Sequence, residues 1–554
     1  MKKNLISFIP FIIGAVLGAA VFIGLFGTRI ISPAFTDWIF AAPDDTTQHY
    51  IGWMYYRNTA WTFPIGMTDG LTSSGAVSCI YADTIPLFAV FFKLLSPVLP
   101  ETFQYFGLWG VICFALNGGF GAVLLSRINK NLIFVSLGSV FYSLFFPSVM
   151  RITHHNSLGA IWLIMIAMIL TLDRKRDYRF RFTPVILWSV DCFLASAIHP
   201  YFLPMIFTVM TGYLILLVFR DKKYVQAVCT FVFSVISAIA NLWILGAFEG
   251  KGNYIDGGLG TYSANLNTFF NSFGYSKYIR PLGAFPEQAE GYGYLGLGML
   301  VCCFLALIIA VSRIRKKDGS YLKFITSYIK AHNIEIIALL AVFSIGFLWA
   351  VSPRITLNNS VVKEIYLPAI VTEKLSIFRA SGRFIWTPCL IVMTTTLWLV
   401  SKLDRNSAIA AVLICAWLQC NDVRNLRNGF RTQYRNPAPI EYGISDAEWE
   451  KISDGVDEVI FLPLPADYLA KIKIYYDFAR PAVRDKIRLS SFIVCRSQPD
   501  AMRKYADEQY EMLKSGNGRS DALYVFFNEE DVPQNVDGVE ISKIGDYSVA
   551  RVKK

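Results

Sequence analysis

A succession of apolar runs, several as long as a lipid bilayer is thick, constrains this chain more than any other feature. A helix needs roughly 20 predominantly apolar residues to cross a ~30 Å hydrocarbon layer. Apolar runs cover residues 6–27, 104–125, 132–150, 157–172, 184–199, 200–219, 224–247, 293–312, 334–351, 384–401 and 407–420. They predict an α-helical polytopic membrane protein with about eleven transmembrane helices. Composition agrees. Charged residues make up 17% of the chain, against about a quarter in soluble domains. The net charge of +11 does not indicate nucleic acid, because the basic residues sit in short clusters between apolar runs.

Orientation follows from those clusters. They comprise Arg127 and Lys130; Arg174, Lys175, Arg176, Arg179 and Arg181; Arg220, Lys222 and Lys223; Arg313, Arg315, Lys316 and Lys317; and Lys402 with Arg405. The positive-inside rule places all of them, with Lys2 and Lys3, in the cytoplasm. The first apolar run resembles a signal peptide but is long enough to span and lacks a small-x-small cleavage site, so it reads as a retained helix. Eleven crossings from a cytoplasmic N-terminus put every basic cluster inside, provided that Thr84–Leu99 does not cross. That stretch is broken by Pro86, Lys93 and Pro97 and predicts a re-entrant or interfacial helix.

The domain boundaries follow. Residues 1–420 form a transmembrane domain with a long first outer loop, 28–103. Residues 421–554 are polar, with short strand-like runs such as Val459–Leu462 and Ala522–Phe527 alternating with helix-like stretches. They predict a small exported α/β domain. Most cysteines lie inside apolar runs, while Cys79 and Cys495 fall outside them. No zinc spacing, Walker motif or dinucleotide fingerprint is present.

Polar chemistry gathers in the outer segments. Asp44 and Asp45 open a stretch that continues through Gln48, His49, Gly52 and Trp53. Adjacent carboxylates push their pKa values apart, leaving one as a proton acceptor, and they are also the candidate ligands for a divalent cation. An Asp at this position equally serves as a helix N-cap. Glu287 and Glu290 lie at a membrane boundary, followed by Gly291, Gly293, Gly296 and Gly298. Carboxylates at that depth are costly unless used. Arg379 and Arg383 stand four residues apart before the tenth run, where basic residues are disfavoured. The guanidinium fork suits phosphate, although snorkelling to headgroups is the plainer role. His154, His155 and His199 complete the set.

The first-loop pattern Asp45-x-x-Gln48-His49-x-x-Gly52-Trp53 resembles that of an uncharacterised bacterial branch of GT-C-like integral membrane glycosyltransferases. So do Asp83–Leu87, Phe103–Gly107, His199–Tyr201 and Glu290–Gly298. The layout is similar to that of protein mannosyltransferases and aminoarabinose transferases. The resemblance implies a GT-C-like fold in a bacterial plasma membrane, with the C-terminal domain extracytoplasmic. It implies transfer of a sugar from a polyprenyl-phosphate-linked donor to an exported glycan, lipid or protein acceptor. Asp45, with Asp44 as alternative, is then the general base. Arg379 and Arg383 hold the lipid phosphate, and Gln48, His49, Trp53, His155, His199, Glu287 and Glu290 bind substrate.

Two other classes fit a chain of this kind. A transporter or flippase of lipid-linked glycan places ionisable residues mid-span. Asp191 and the boundary residue Glu335 are the only candidates, and no inverted repeat is evident. A non-catalytic envelope assembly scaffold accounts for the exported domain but leaves the outer acids and arginines without a role.

Overall fold

A computed structural model describes residues 2–41, 44–249, 258–317, 321–435, 437, 439–465, 471–496 and 498–553. The chain forms two compact units. One comprises Met1–Ser32, Phe106–Ala240 and Asp256–Asn436, and the other Pro33–Tyr105, Asn241–Ile255 and Pro437–Lys554. The first outer loop thus groups with the C-terminal region, whereas the sequence division places it with residues 1–420.

Each of the eleven apolar runs contains helix. Among the described residues, seven helices are long and apolar enough to cross a membrane: Phe8–Phe26, Phe106–Ser126, Asn156–Lys175, Phe202–Arg220, Tyr224–Ile244, Asn333–Val351 and Ser381–Val400. Leu132–Ser143, Thr183–Ile198 and Leu297–Arg313 are apolar but shorter. The run predicted as one span over 132–150 is broken. Helix Leu132–Ser143 ends, and a second, Phe146–Arg151, begins with Pro147 in its first turn. Proline lacks the N–H that would continue the ladder, and it is tolerated only where that donor is unused.

Small residues set a close helix contact in the first unit. A Cβ on Gly118 would stand 2.2 Å from the Gly14 carbonyl oxygen, and one on Gly18 would stand 2.0 Å from that of Phe114. Helices Lys2–Phe26 and Phe106–Ser126 therefore touch backbone to backbone, as small-xxx-small faces allow in lipid. Gly118→Leu is expected to destabilise the fold by at least about 3 kcal/mol, because backbone cannot move aside as a side chain does. Loss of monodisperse protein on size-exclusion chromatography would show it.

One end of this unit carries an ion-pair network. Arg127 holds Asp173 with both forks, at 2.7 and 2.8 Å. Arg174 lies 3.2 Å from Asp221 and 3.8 Å from Glu335, and Arg220 lies 3.2 Å from Glu335. Residues from three basic clusters, together with Glu335, meet here.

The second unit contains a five-stranded sheet among its described residues. Its order is Arg488–Leu489, Glu458–Leu462, Ala522–Phe526, Tyr547–Val552, Val539–Ile544, parallel over the first three and antiparallel thereafter. Glu458–Leu462 and Ala522–Phe526 are buried throughout, as strands covered on both faces must be. Helices Ile472–Arg484 and Pro499–Lys514 accompany the sheet. The first outer loop joins this core through backbone bonds: Leu489 N–H donates to the Gly70 carbonyl, and Ser73 N–H to that of Ser490, both at 2.8 Å. Cys79 and Cys495 are free thiols, the first buried and the second exposed.

Within Thr84–Leu99 the helix is Pro86–Leu94, nine residues or about 14 Å, too short to cross a bilayer. Lys93 is 4% exposed. Its ammonium sits 4.1 Å from the Tyr56 ring centre and 4.6 Å from that of Trp61. Burial lowers its pKa to about 8.

Candidate functional site

Chemistry concentrates in two places, one in each unit. In the second unit, helix Asp45–Asn58 carries the first-loop motif, and eleven of its residues are buried. Asp44 is its N-cap. The Asp44 carboxylate accepts the Thr46 N–H at 2.9 Å, and the Thr47 hydroxyl accepts the Asp44 N–H at 3.3 Å. Of the two acids raised as a base, Asp44 is thus bound into a capping box, and Asp45 stands in the first turn. The Tyr476 hydroxyl donates to the Asp44 carbonyl at 3.0 Å. Burial first, and then the charges of Asp45 and Asp44, push the Tyr476 phenol upward, so it stays a donor.

One turn along, His49 is 1% exposed, and its Nε2 lies 3.3 Å from Asp83 Oδ2. Gly52 makes this approach feasible: a Cβ there would stand 2.7 Å from the Ala82 Cβ. Gly52→Val is expected to push the 82–84 segment away and part the His49–Asp83 pair, seen as displaced His49 imidazole resonances by NMR. Asp83 and Ile85 both adopt left-handed backbone, with φ of +48° and +56°. For a β-branched residue this is strained, and such strain persists only where the surroundings fix it. Trp53 anchors the helix by donating to the Phe103 carbonyl at 3.0 Å, and Gln48 is buried beside it in sequence.

In the first unit a carboxylate and two arginines converge. Glu290 lies in a short 3₁₀ turn, Pro286–Gly291. Its Oε2 is 2.8 Å from Arg383 Nε and 2.9 Å from Arg151 Nη2, and its Oε1 accepts from Arg151 Nη1 at 3.2 Å. His155 Nε2 is 4.0 Å from the same carboxylate. Arg151 and Arg383 are 7% and 6% exposed. Burial alone would raise the Glu290 pKa. The charges of Arg151, Arg383 and His155, with the Arg383 hydrogen bond, outweigh it and hold the carboxyl well below its usual range. Arg383 also lies over the Tyr201 ring at 4.6 Å, and Arg151 over that of Trp386 at 5.7 Å. Two buried guanidinium groups thus share one carboxylate.

The other predicted residues are placed differently. Arg379 is exposed, its guanidinium 5.5 Å from the Tyr262 ring centre. Glu287 is exposed, and so is His154. His199 Nδ1 accepts the Tyr201 N–H at 3.2 Å, which turns the chain between helices Thr183–Ile198 and Phe202–Ile215. Among the glycines after Glu290, packing explains Gly298, where a Cβ would stand 2.0 Å from the Cys415 carbonyl oxygen. Sequence reasoning passed over Arg151, although it shares with Arg383 the signal of a basic residue on the disfavoured side. It gave Asp83 no role and left Asp422 unremarked. Asp422 is fully buried and accepts the Tyr294 hydroxyl at 2.9 Å and the Leu297 N–H at 3.0 Å.

Two family models match the chain. One described as a domain of unknown function (DUF6311) matches residues 15–424, and one described as the DUF6311 C-terminal domain matches residues 448–552. No curated protein matches the chain. The chain therefore belongs to the DUF6311 family.

Proposed function

We propose that this protein is a GT-C-like, polyprenyl-phosphate-sugar-dependent glycosyltransferase of the bacterial plasma membrane, acting on an acceptor outside the cytoplasm. The observation that carries the reading is the Arg151–Glu290–Arg383 cluster. It lies at the start of the helix Asn156–Lys175, whose far end, about 30 Å away, joins the basic ion-pair network. With the basic end in the cytoplasm, this cluster faces the exoplasmic leaflet. The arginines gathered on this side, with exposed Arg379 among them, suit an anion, and a lipid phosphate is the anion that such a place offers. In this reading Arg379, which is exposed, takes the donor phosphate. Arg383, committed to Glu290, sets the local field rather than binding as the second finger of a clamp.

In the second unit Asp45 removes the acceptor's proton, and the buried His49–Asp83 pair fixes the helix that carries it. In this reading Asp44 serves the helix cap and takes no part in transfer. The test is transfer of a radiolabelled sugar from a polyprenyl phosphate by protein reconstituted in liposomes. Arg379→Gln is expected to raise the donor KM by about tenfold or more, with thermal unfolding unchanged. A wild-type KM in that variant would sink the phosphate assignment.

One observation favours a second reading. Asp191, in helix Thr183–Ile198, is 1% exposed, and among the described residues neither of its carboxylate oxygens has a hydrogen-bond partner. Mid-span acids mark transport paths. Movement of a lipid-linked sugar between leaflets with its covalent structure unchanged would favour a flippase.

A further inference from the structure

The basic end of the first unit holds more positive charge than its own ion pairs absorb. Asp173, Asp221 and Glu335 are engaged by Arg127, Arg174 and Arg220. Beyond them a cleft of about 480 Å³ is lined by Arg174, Arg176, Arg179, Arg181, Lys222 and Lys223. Arg179, Arg181, Lys222 and Lys223 have no ion pair among the described residues, and Asp177 is the single acid lining the cleft. Four uncompensated cations against one carboxylate make a site for a multiply charged anion.

A second cavity tells what kind of anion. An apolar groove of about 430 Å³ runs between the helices that contribute Val209, Gly212, Leu339, Val342 and Ile391. Arg174 lines both the cleft and the groove. A charged cleft and an apolar slot that share Arg174 match an amphiphile with a phosphate at one end and a hydrocarbon chain at the other. Topology alone asks for basic residues at this end, but it asks for neither a cleft nor an adjoining groove.

We propose that this end of the protein binds an anionic membrane lipid, its phosphate headgroup in the basic cleft and its chain in the apolar groove. The inference does not rest on the proposed glycosyl transfer. The test is native mass spectrometry of the full chain in detergent. The probes are dioleoyl phosphatidylglycerol, dioleoyl phosphatidylcholine and inorganic pyrophosphate. The anionic lipid is expected to bind in preference to the zwitterionic one. The combined variant R179Q/R181Q/K222Q/K223Q should weaken it by roughly 100-fold, since each such cation contributes to headgroup attraction. Thr171→Trp, in the groove wall, should weaken lipid binding while leaving pyrophosphate binding unchanged.

Equal binding of both lipids, or unaltered binding by the combined variant, would overturn the proposal. Full competition by pyrophosphate together with an ineffective Thr171→Trp would assign the cleft to a soluble anion and overturn it equally. If the combined variant fails to fold, R179Q and K222Q singly, each at an exposed position, carry the same comparison.

Discussion

Glu290→Ala is expected to destabilise the protein by about 3 kcal/mol, because it removes the carboxylate that two nearly buried guanidinium groups share. Thermal unfolding in detergent measures this. Glu290→Gln should cost less, since the amide oxygen still accepts from an arginine, but it removes the charge that offsets Arg151 and Arg383. The sign of the pH dependence follows from the depressed native pKa. In the unfolded chain this carboxyl titrates near 4.5, and in the folded protein well below that. The stabilisation is therefore complete above about pH 4.5 and disappears as pH falls through the native value. Wild type should lose its Tm advantage over Glu290→Gln only in that acid range.

A combined change separates structure from ligand binding. Replacing Arg151, Glu290 and Arg383 together by apolar residues of similar volume removes every charge at once. Such replacements often leave stability unchanged or improved. A stable but inactive triple variant would support a functional role for the cluster's charges, and a stable, fully active one would make the cluster purely structural.

Asp45→Asn carries the second large effect. If Asp45 is the base, sugar transfer should fall by about 10²–10⁴-fold, the usual contribution of a positioned proton acceptor. Stability should change little, because the helix cap belongs to Asp44. Asp44→Asn is the matched control. Asparagine caps as well as aspartate, so this variant should fold and keep its activity, whereas Asp44→Ala should lose about 1 kcal/mol of stability. Full transfer by Asp45→Asn, or equal loss in Asp44→Asn, would remove Asp45 from the mechanism.

The apolar runs were legible because length and hydropathy are local properties, and each of them is helical. The short, proline-bounded stretch around Lys93 was legible for the same reason. The break at Phe145 was written in Pro147 but was masked by the surrounding hydropathy. Capping was readable at Asp44, since a cap involves only the next three residues.

The partners of the charged residues were not readable. Glu290 finds Arg151 at a separation of 139 positions and Arg383 at 93, and His49 finds Asp83 across a loop. Nor did the sequence reveal that the first outer loop folds in one unit with the C-terminal sheet. The sequence by itself determined where helices form and which residues are too polar to face lipid. Tertiary structure alone decided which helix ends meet, and so which charges neutralise one another. Hydropathy acts on each segment separately, whereas an ion pair needs the whole chain packed to bring its two members within 4 Å.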